Sequence, residues 1–267
     1  MLMRGSISTK FVVCGVVLAA VLGTVQAASA FDPDAGVTKQ SGPLDLFRFG
    51  FSAYKSGHKT EAAEAYKYAA EKGHAGARWA LANMYASGDG IAENDYEAFK
   101  IYDEIARKGV EPGSVDTGYF INALMALASY YRHGIPNSPI HIDLTQARQL
   151  YFHVASVFGL PDAEFELGRM MLEGKGGEAN PAQAKKWLNR ARKAGSERAT
   201  ALLGSVICKE GHEVYGLALM TVALKRAGDG TKPWIRDIQE QAFSLANETN
   251  RRSAVKLADT MMAQDVR

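Results

Sequence analysis

Cysteine is nearly absent: the 267 residues include two, Cys14 and Cys208. Cys14 falls in a segment that reads as a leader, so no internal disulfide can brace the rest and its stability has to come from packing. An excess of charge is missing too. Arg4 and Lys10 are the only charges among residues 1–30, which leaves 29 Lys+Arg against 29 Asp+Glu beyond them. Nucleic-acid binding, which relies on clustered positive charge, has no footing there. The apolar run 11–23 is 13 residues, short of the roughly 18 or more needed to span a bilayer. It follows two cations and precedes Ala28-Ser29-Ala30, the pattern of a signal peptide with an A-x-A site. Export, with cleavage between Ala30 and Phe31, is the expectation. No direct membrane anchor is expected afterwards.

Several catalytic signatures are incomplete. Gly174-Lys175 lacks a phosphate loop's spacing, because Arg169 stands five residues before Gly174 and Gly176 replaces the hydroxyl. Ser52-x-x-Lys55 and Ser253-x-x-Lys256 match the serine–lysine step of penicillin-recognising enzymes, yet neither S-D-N nor K-T-G completes the set. The six histidines form no H-x-x-x-H pair, and zinc needs three or four clustered ligands. No catalytic residue, metal or cofactor is assigned. Histidine remains a candidate sensor of acidity, since its ordinary pKa is about 6.5.

What is present is a repeat. Ala77, Ala123, Ala163 and Ala199 share one column; Leu81, Leu127, Leu167 and Leu203 a second; Ala82, Ala128, Gly168 and Gly204 a third; Tyr85, Tyr131, Met171 and Ile207 a fourth. These offsets of 0, 4, 5 and 8 lie on one side of a helix, and the small third column lets a neighbouring helix come close. A glycine turn follows, then a second helix closing on Gly73, Gly109, Gly159, Gly195 and Gly228. Counted back from the first four glycines, Tyr66, Tyr102, Phe152 and Leu188 form one inner column; Ala69, Ile105, Ala155 and Ala191 form another. Extra residues before Ala123 and after Gly134 read as loops. Trp79, Trp187 and the repeated tyrosines are expected to fill the core between repeats. Trp234, Ile238, Phe243, Leu245, Val255 and Leu257 mark a final helix pair, with Arg251, Arg252 and Asp259 on a polar outer face.

The elements Leu81, Tyr85, Gly88, Gly90, Ala98, Ala106, Gly109 and Leu167, Gly174, Gly176, Ala184, Ala191, Gly195 resemble the Sel-one-like repeat, a relative of the tetratricopeptide repeat. The fold expected is all-α: a right-handed α-solenoid of helix-turn-helix units at 44–76, 77–112, 120–162, 163–198 and 199–230. An extended segment 31–43 precedes it and a helical cap 233–267 follows. The phrases FRFGFSAYKSG, YKYAAEKGHAGARWALANMYASGDG, EAFKIYDEIARKGVEPGS and KKWLNRARKAG resemble the family of periplasmic negative regulators of exopolysaccharide production, the ExoR family. That resemblance implies a non-enzymatic periplasmic protein that holds a membrane sensor histidine kinase off through the kinase's periplasmic domain, with a periplasmic protease as a second partner. The competing readings are a periplasmic serine enzyme on cell-wall peptides or β-lactams, suggested by Ser52, and a general envelope assembly scaffold.

First helices usually line a solenoid's concave surface. Polar positions between their core columns are therefore the candidate contacts: Asn83, Ser129, Arg169 and Ser205 in one column, Arg78 and Glu164 in another. Lys185, Lys186, Arg190, Arg192 and Lys193 form a basic stripe beside Trp187 that reads first as a solvated helix face.

Overall fold

A computed structural model describes residues 37–264. The expected leader, the Ala30–Phe31 cleavage point and the larger part of the extended segment lie outside the described residues. Within them the chain is twelve helices and no strand: α1 (Pro43–Lys55), α2 (Lys59–Glu71), α3 (Ala75–Ser87), α4 (Asp95–Lys108), α5 (Thr117–His133), α6 (Leu144–Val157), α7 (Pro161–Glu173), α8 (Pro181–Lys193), α9 (Glu197–Lys209), α10 (Glu213–Arg226), α11 (Lys232–Leu245) and α12 (Glu248–Gln264). The first ten form five hairpins, and each hairpin packs its second helix on the first helix of the next.

Local chemistry sets the corners. Helices α4, α6 and α8 each start on an Asx cap: Asn94, Asp143 and Asn180 accept from the backbone N–H of Glu97, Gln146 and Gln183 at 2.9–3.0 Å. The glycine-rich stretch raised by the phosphate-loop comparison is one such corner. Gly174 ends α7 at φ 66°, a left-handed turn. At Gly176 any Cβ would strike the backbone of Leu144, so this glycine permits α6 and the α7–α8 turn to approach.

The small third column behaves as expected. A Cβ on Gly168 would sit 2.8 Å from Leu188 Cγ, and one on Gly204 would sit 2.6 Å from the Gly216 carbonyl oxygen. Leu81, Leu127, Leu167, Leu203 and the four alanines of the first column are all buried.

Four expectations need correction. First, the inner column slips by one residue in α6: Tyr151 is 3 % exposed whereas Phe152 is 49 % exposed. The alanine four residues earlier keeps phase throughout (Ala62–Tyr66, Ala98–Tyr102, Ala147–Tyr151, Ala184–Leu188), so the extra residue lies between Tyr151 and Gly159. Second, the residues before Ala123 are not all loop, because Thr117–Phe120 add a turn to α5 and bring Tyr119 onto Trp79, ring centroids 5.5 Å apart. Third, Gly228 does not close α10, which ends on Ala227 in an extended conformation. Fourth, Trp79 and Trp187 are only half-buried, at the seams and not in the centre of the core.

The last two helices form the expected end, though not as another repeat hairpin. Helix α11 packs on α9 and α10, and α12 packs on α10. Ile235, Ala254 and Ala258 cover α10, while Leu245 and Val255, expected in the apolar pattern, are 89 % and 42 % exposed. No described helix is long and apolar enough to cross a membrane.

Candidate partner-binding surface

The first helices of successive hairpins touch one another, α3 with α5 and α7 with α9. The six candidate residues do not form one site. Asn83 accepts a 2.6 Å hydrogen bond from Tyr102 of α4. The Ser129 carbonyl oxygen lies 2.9 Å from His133 Nδ1 within α5. Arg78 lines a separate hollow of about 440 Å³ beside the α4–α5 loop, with Lys108, Glu111 and Asp116.

Glu164, aligned with Arg78 in the sequence, is 2 % exposed. Burial pushes its carboxyl above the ordinary glutamate range, while Arg190 of α8, 2.8 Å away, opposes that shift. The same guanidinium lies 4.6 Å over the Trp187 ring. Much of the basic stripe is thereby absorbed internally, because Lys185 also pairs with Glu210 at 2.6 Å and Arg192 bonds Asn189 at 3.1 Å.

Arg169 and Ser205 do meet. Both line a groove of about 520 Å³ between α7, α8 and α9, floored by Leu172, Leu202 and Val206 and bordered by Lys209. Ser205 and Lys209 also border a second hollow of about 280 Å³, on the other flank of α9 against α11. Trp234 of α11 stacks edge-on to Phe165 at 5.8 Å and ties this end of the array together.

Behind the groove stands an ion cluster that the column comparison missed. Glu166 Oε2 accepts from Arg132 of α5 at 2.7 Å and from Arg169 at 2.5 Å, and Arg198 of α9 lies 3.5 Å from Oε1. Arg198 also reaches Asp162 at 2.8 Å and covers the Phe165 ring at 4.4 Å. Three guanidiniums from three first helices therefore share two carboxylates. Burial, with Glu166 next in effect, pushes the neighbouring Tyr151 hydroxyl up to about 12 against the pull of Arg132, so it stays protonated at physiological pH. A signal did exist in the sequence: Glu166 occupies a column otherwise filled by Ala80, Ala126 and Leu202.

Both serine–lysine pairs lie on exposed helix faces, and Lys55 Nζ is drawn 5.0 Å over the Phe51 ring. Among the described residues no group of three His, Cys, Asp or Glu could hold a metal ion. Cys208 is a free thiol whose pKa burial pushes up, with Glu213 adding to the shift, which favours the thiol over the thiolate.

Comparison with known proteins follows the same lines. The Sel1 repeat family matches residues 75–110, 121–152 and 161–196. The exopolysaccharide production negative regulator of Rhizobium meliloti (strain 1021) is 60% identical over 258 residues, covering 97% of this chain and 96% of its own. That of Rhizobium leguminosarum bv. viciae is 59% identical over 252 residues, 94% of each. Two solved structures share the fold at 22% identity. A Sel1 repeat protein from Oxalobacter formigenes has a TM-score of 0.60, covering 86% of this chain and 91% of that one. The antigen c5321 of uropathogenic Escherichia coli has a TM-score of 0.63, with 83% of this chain matching 46%, under half, of that one.

Proposed function

Because the chain belongs to the family of exopolysaccharide production negative regulators, we propose that it represses exopolysaccharide synthesis by binding the periplasmic domain of a membrane sensor histidine kinase. It would act in the periplasm once residues 1–30 are removed. The observation carrying this reading is likeness along nearly the whole chain, 97% of it at 60% identity. An array of Sel1 repeats supports a protein-binding mode of action.

Repression of this kind requires differential affinity. A ligand moves a two-state kinase only as far as it prefers the inactive state, about 1.4 kcal/mol for each tenfold shift. Relief then follows from removing the repressor, by a periplasmic protease or by weakened binding.

Deleting the gene is expected to raise exopolysaccharide output, with output restored by the exported chain. Unchanged or lower output would overturn the proposal. Crosslinking the tagged chain in the periplasm separates a dedicated kinase partner from a general scaffold, which would capture many envelope proteins. Ser52→Ala is expected to keep full repression, whereas a serine enzyme would lose its function.

A further inference from the structure

The groove between α7, α8 and α9 has unequal charge partnering. Its acids are already engaged: Glu173 pairs with Lys175 at 2.7 Å, Glu210 pairs with Lys185 at 2.6 Å, and Glu213, bordering the adjoining hollow, accepts from Asn250 at 2.7 Å. Its cations are partnered less fully. Lys209 is exposed and has no ion-pair partner among the described residues. Arg169 is held by Glu166 at 2.5 Å, but that one carboxylate also serves Arg132 and Arg198.

The space between these two cations is apolar. Leu172, Leu202 and Val206 form its floor, in a volume of about 520 Å³, which is the size of a groove that takes several side chains. A polypeptide able to satisfy both features carries a carboxylate for the cationic border and an aliphatic side chain for the floor. A basic segment would meet Arg169 and Lys209 as like charges. A purely apolar one would bury the Arg169 and Lys209 borders without replacing the water on them, which costs free energy.

Resting on the kinase-binding reading above, we infer that this groove is the docking point for an acidic, leucine-like segment of the protein partner, its carboxylate on Arg169 and Lys209 and its aliphatic side chain between Leu172 and Leu202. Ser205 sits on the continuation toward α11, so a bulky residue there blocks the trough. With three guanidiniums on two carboxylates, the cluster that includes Arg169 carries one net positive charge, which adds to that of Lys209. Electrostatic steering of this kind raises the association rate and falls with salt.

The test uses the exported chain and fluorescence anisotropy with two end-blocked probe peptides. One alternates leucine with glutamate and serine; the other has glutamine for every glutamate. Saturable, salt-sensitive binding of the acidic peptide, at least tenfold tighter than the glutamine peptide, is expected. Lys209→Glu and Ser205→Trp should each weaken it at least tenfold, with helicity and Tm unchanged for the exposed Lys209→Glu. Equal binding of both peptides, absence of saturable binding, or indifference to Lys209→Glu overturns the assignment. The purified periplasmic domain of the kinase, titrated in parallel, separates the two claims. If the peptide arm holds and the wild-type chain fails to bind that domain, the kinase reading falls and the groove assignment stands. If the domain binds wild type and Lys209→Glu equally, the kinase reading stands and the groove assignment falls.

Discussion

His74 shows how one side chain joins local and tertiary structure. Its Nδ1 accepts from the Ala77 N–H at the start of α3, 3.2 Å away, and its ring stacks on Phe47 of α1 at 4.3 Å. Burial lowers its pKa from the usual 6.5, against an opposing pull from Asp116. The folded chain thus holds this proton less tightly than the unfolded chain. Its contribution is present in full above about pH 6.5, the unfolded value, and is lost as pH falls from there through the lowered folded value. Thermal melts between pH 7.5 and 5 are expected to fall less steeply for His74→Asn, which caps without titrating, than for the wild type. Equal slopes would contradict the assignment. The sequence marked histidine as a class of acid sensor, but which one is engaged depends on Phe47 of α1 reaching the start of α3, something no local pattern states. At Glu166, removing the charge while three arginines remain should cost about 1.5–3 kcal/mol of unfolding free energy, the range for hydrogen bonds to charged groups. The side chain is 13% exposed and its partners 19–32% exposed, which argues against the larger losses of fully buried pairs. Urea unfolding of Glu166→Gln measures it, and a loss below about 0.5 kcal/mol would show that the arginines are held by other means.

Among the helices, the third and fourth hairpins show what repetition makes legible. Alanine, leucine and glycine columns were readable because close packing allows few alternatives at those positions. Counting back from Gly159 failed because the C-cap Phe158 stands between the end of α6 and that glycine, whereas α4, of the same length, ends directly on Gly109; the alanine and tyrosine of α6 keep phase with the other repeats. Helix starts are therefore the better ruler in this chain. The ion cluster was hidden for a different reason: its members are one repeat apart. Tyr54–Asp89, Asp95–Tyr130, Arg132–Glu166, Asp162–Arg198, Glu213–Asn250 and Lys225–Asp259 are all separated by 34–37 residues. Stacking brings equivalent turns side by side, so polar pairs at the repeat period are the sequence signal for contacts between hairpins. Leu188, fully buried between α7, α8 and α9, tests the packing at this scale. Leu188→Ala should cost about 2–5 kcal/mol, read by denaturant midpoint, and a loss under about 1 kcal/mol would mean the hairpins are less tightly joined than their burial implies.

For the molecule as a whole, each hairpin is stabilised chiefly by its neighbours, so the ends matter. Helices α11 and α12 cover the buried face of α10, where Leu217, Met220 and Val222 are at most 3 % exposed. A chain ending at Thr231 is expected to associate or aggregate, visible as a shift to earlier elution in size-exclusion chromatography; a monodisperse monomer would show that the cap is dispensable. The fold was thus largely legible from columns and glycines. Of the candidate contact residues, Arg169 and Ser205 share a groove, while Arg78, Asn83, Ser129 and Glu164 are placed elsewhere or engaged within the fold, because column spacing in the sequence does not say which polar side chains find partners inside the array. The proposed repression acts through binding, and its direct measurement is autophosphorylation of the proposed sensor kinase reconstituted in proteoliposomes, with residues 31–267 added on the side of its periplasmic domain. The account predicts a saturable fall in phosphorylation that tracks binding and is reversed by removing the chain; undiminished phosphorylation at saturating chain would contradict it.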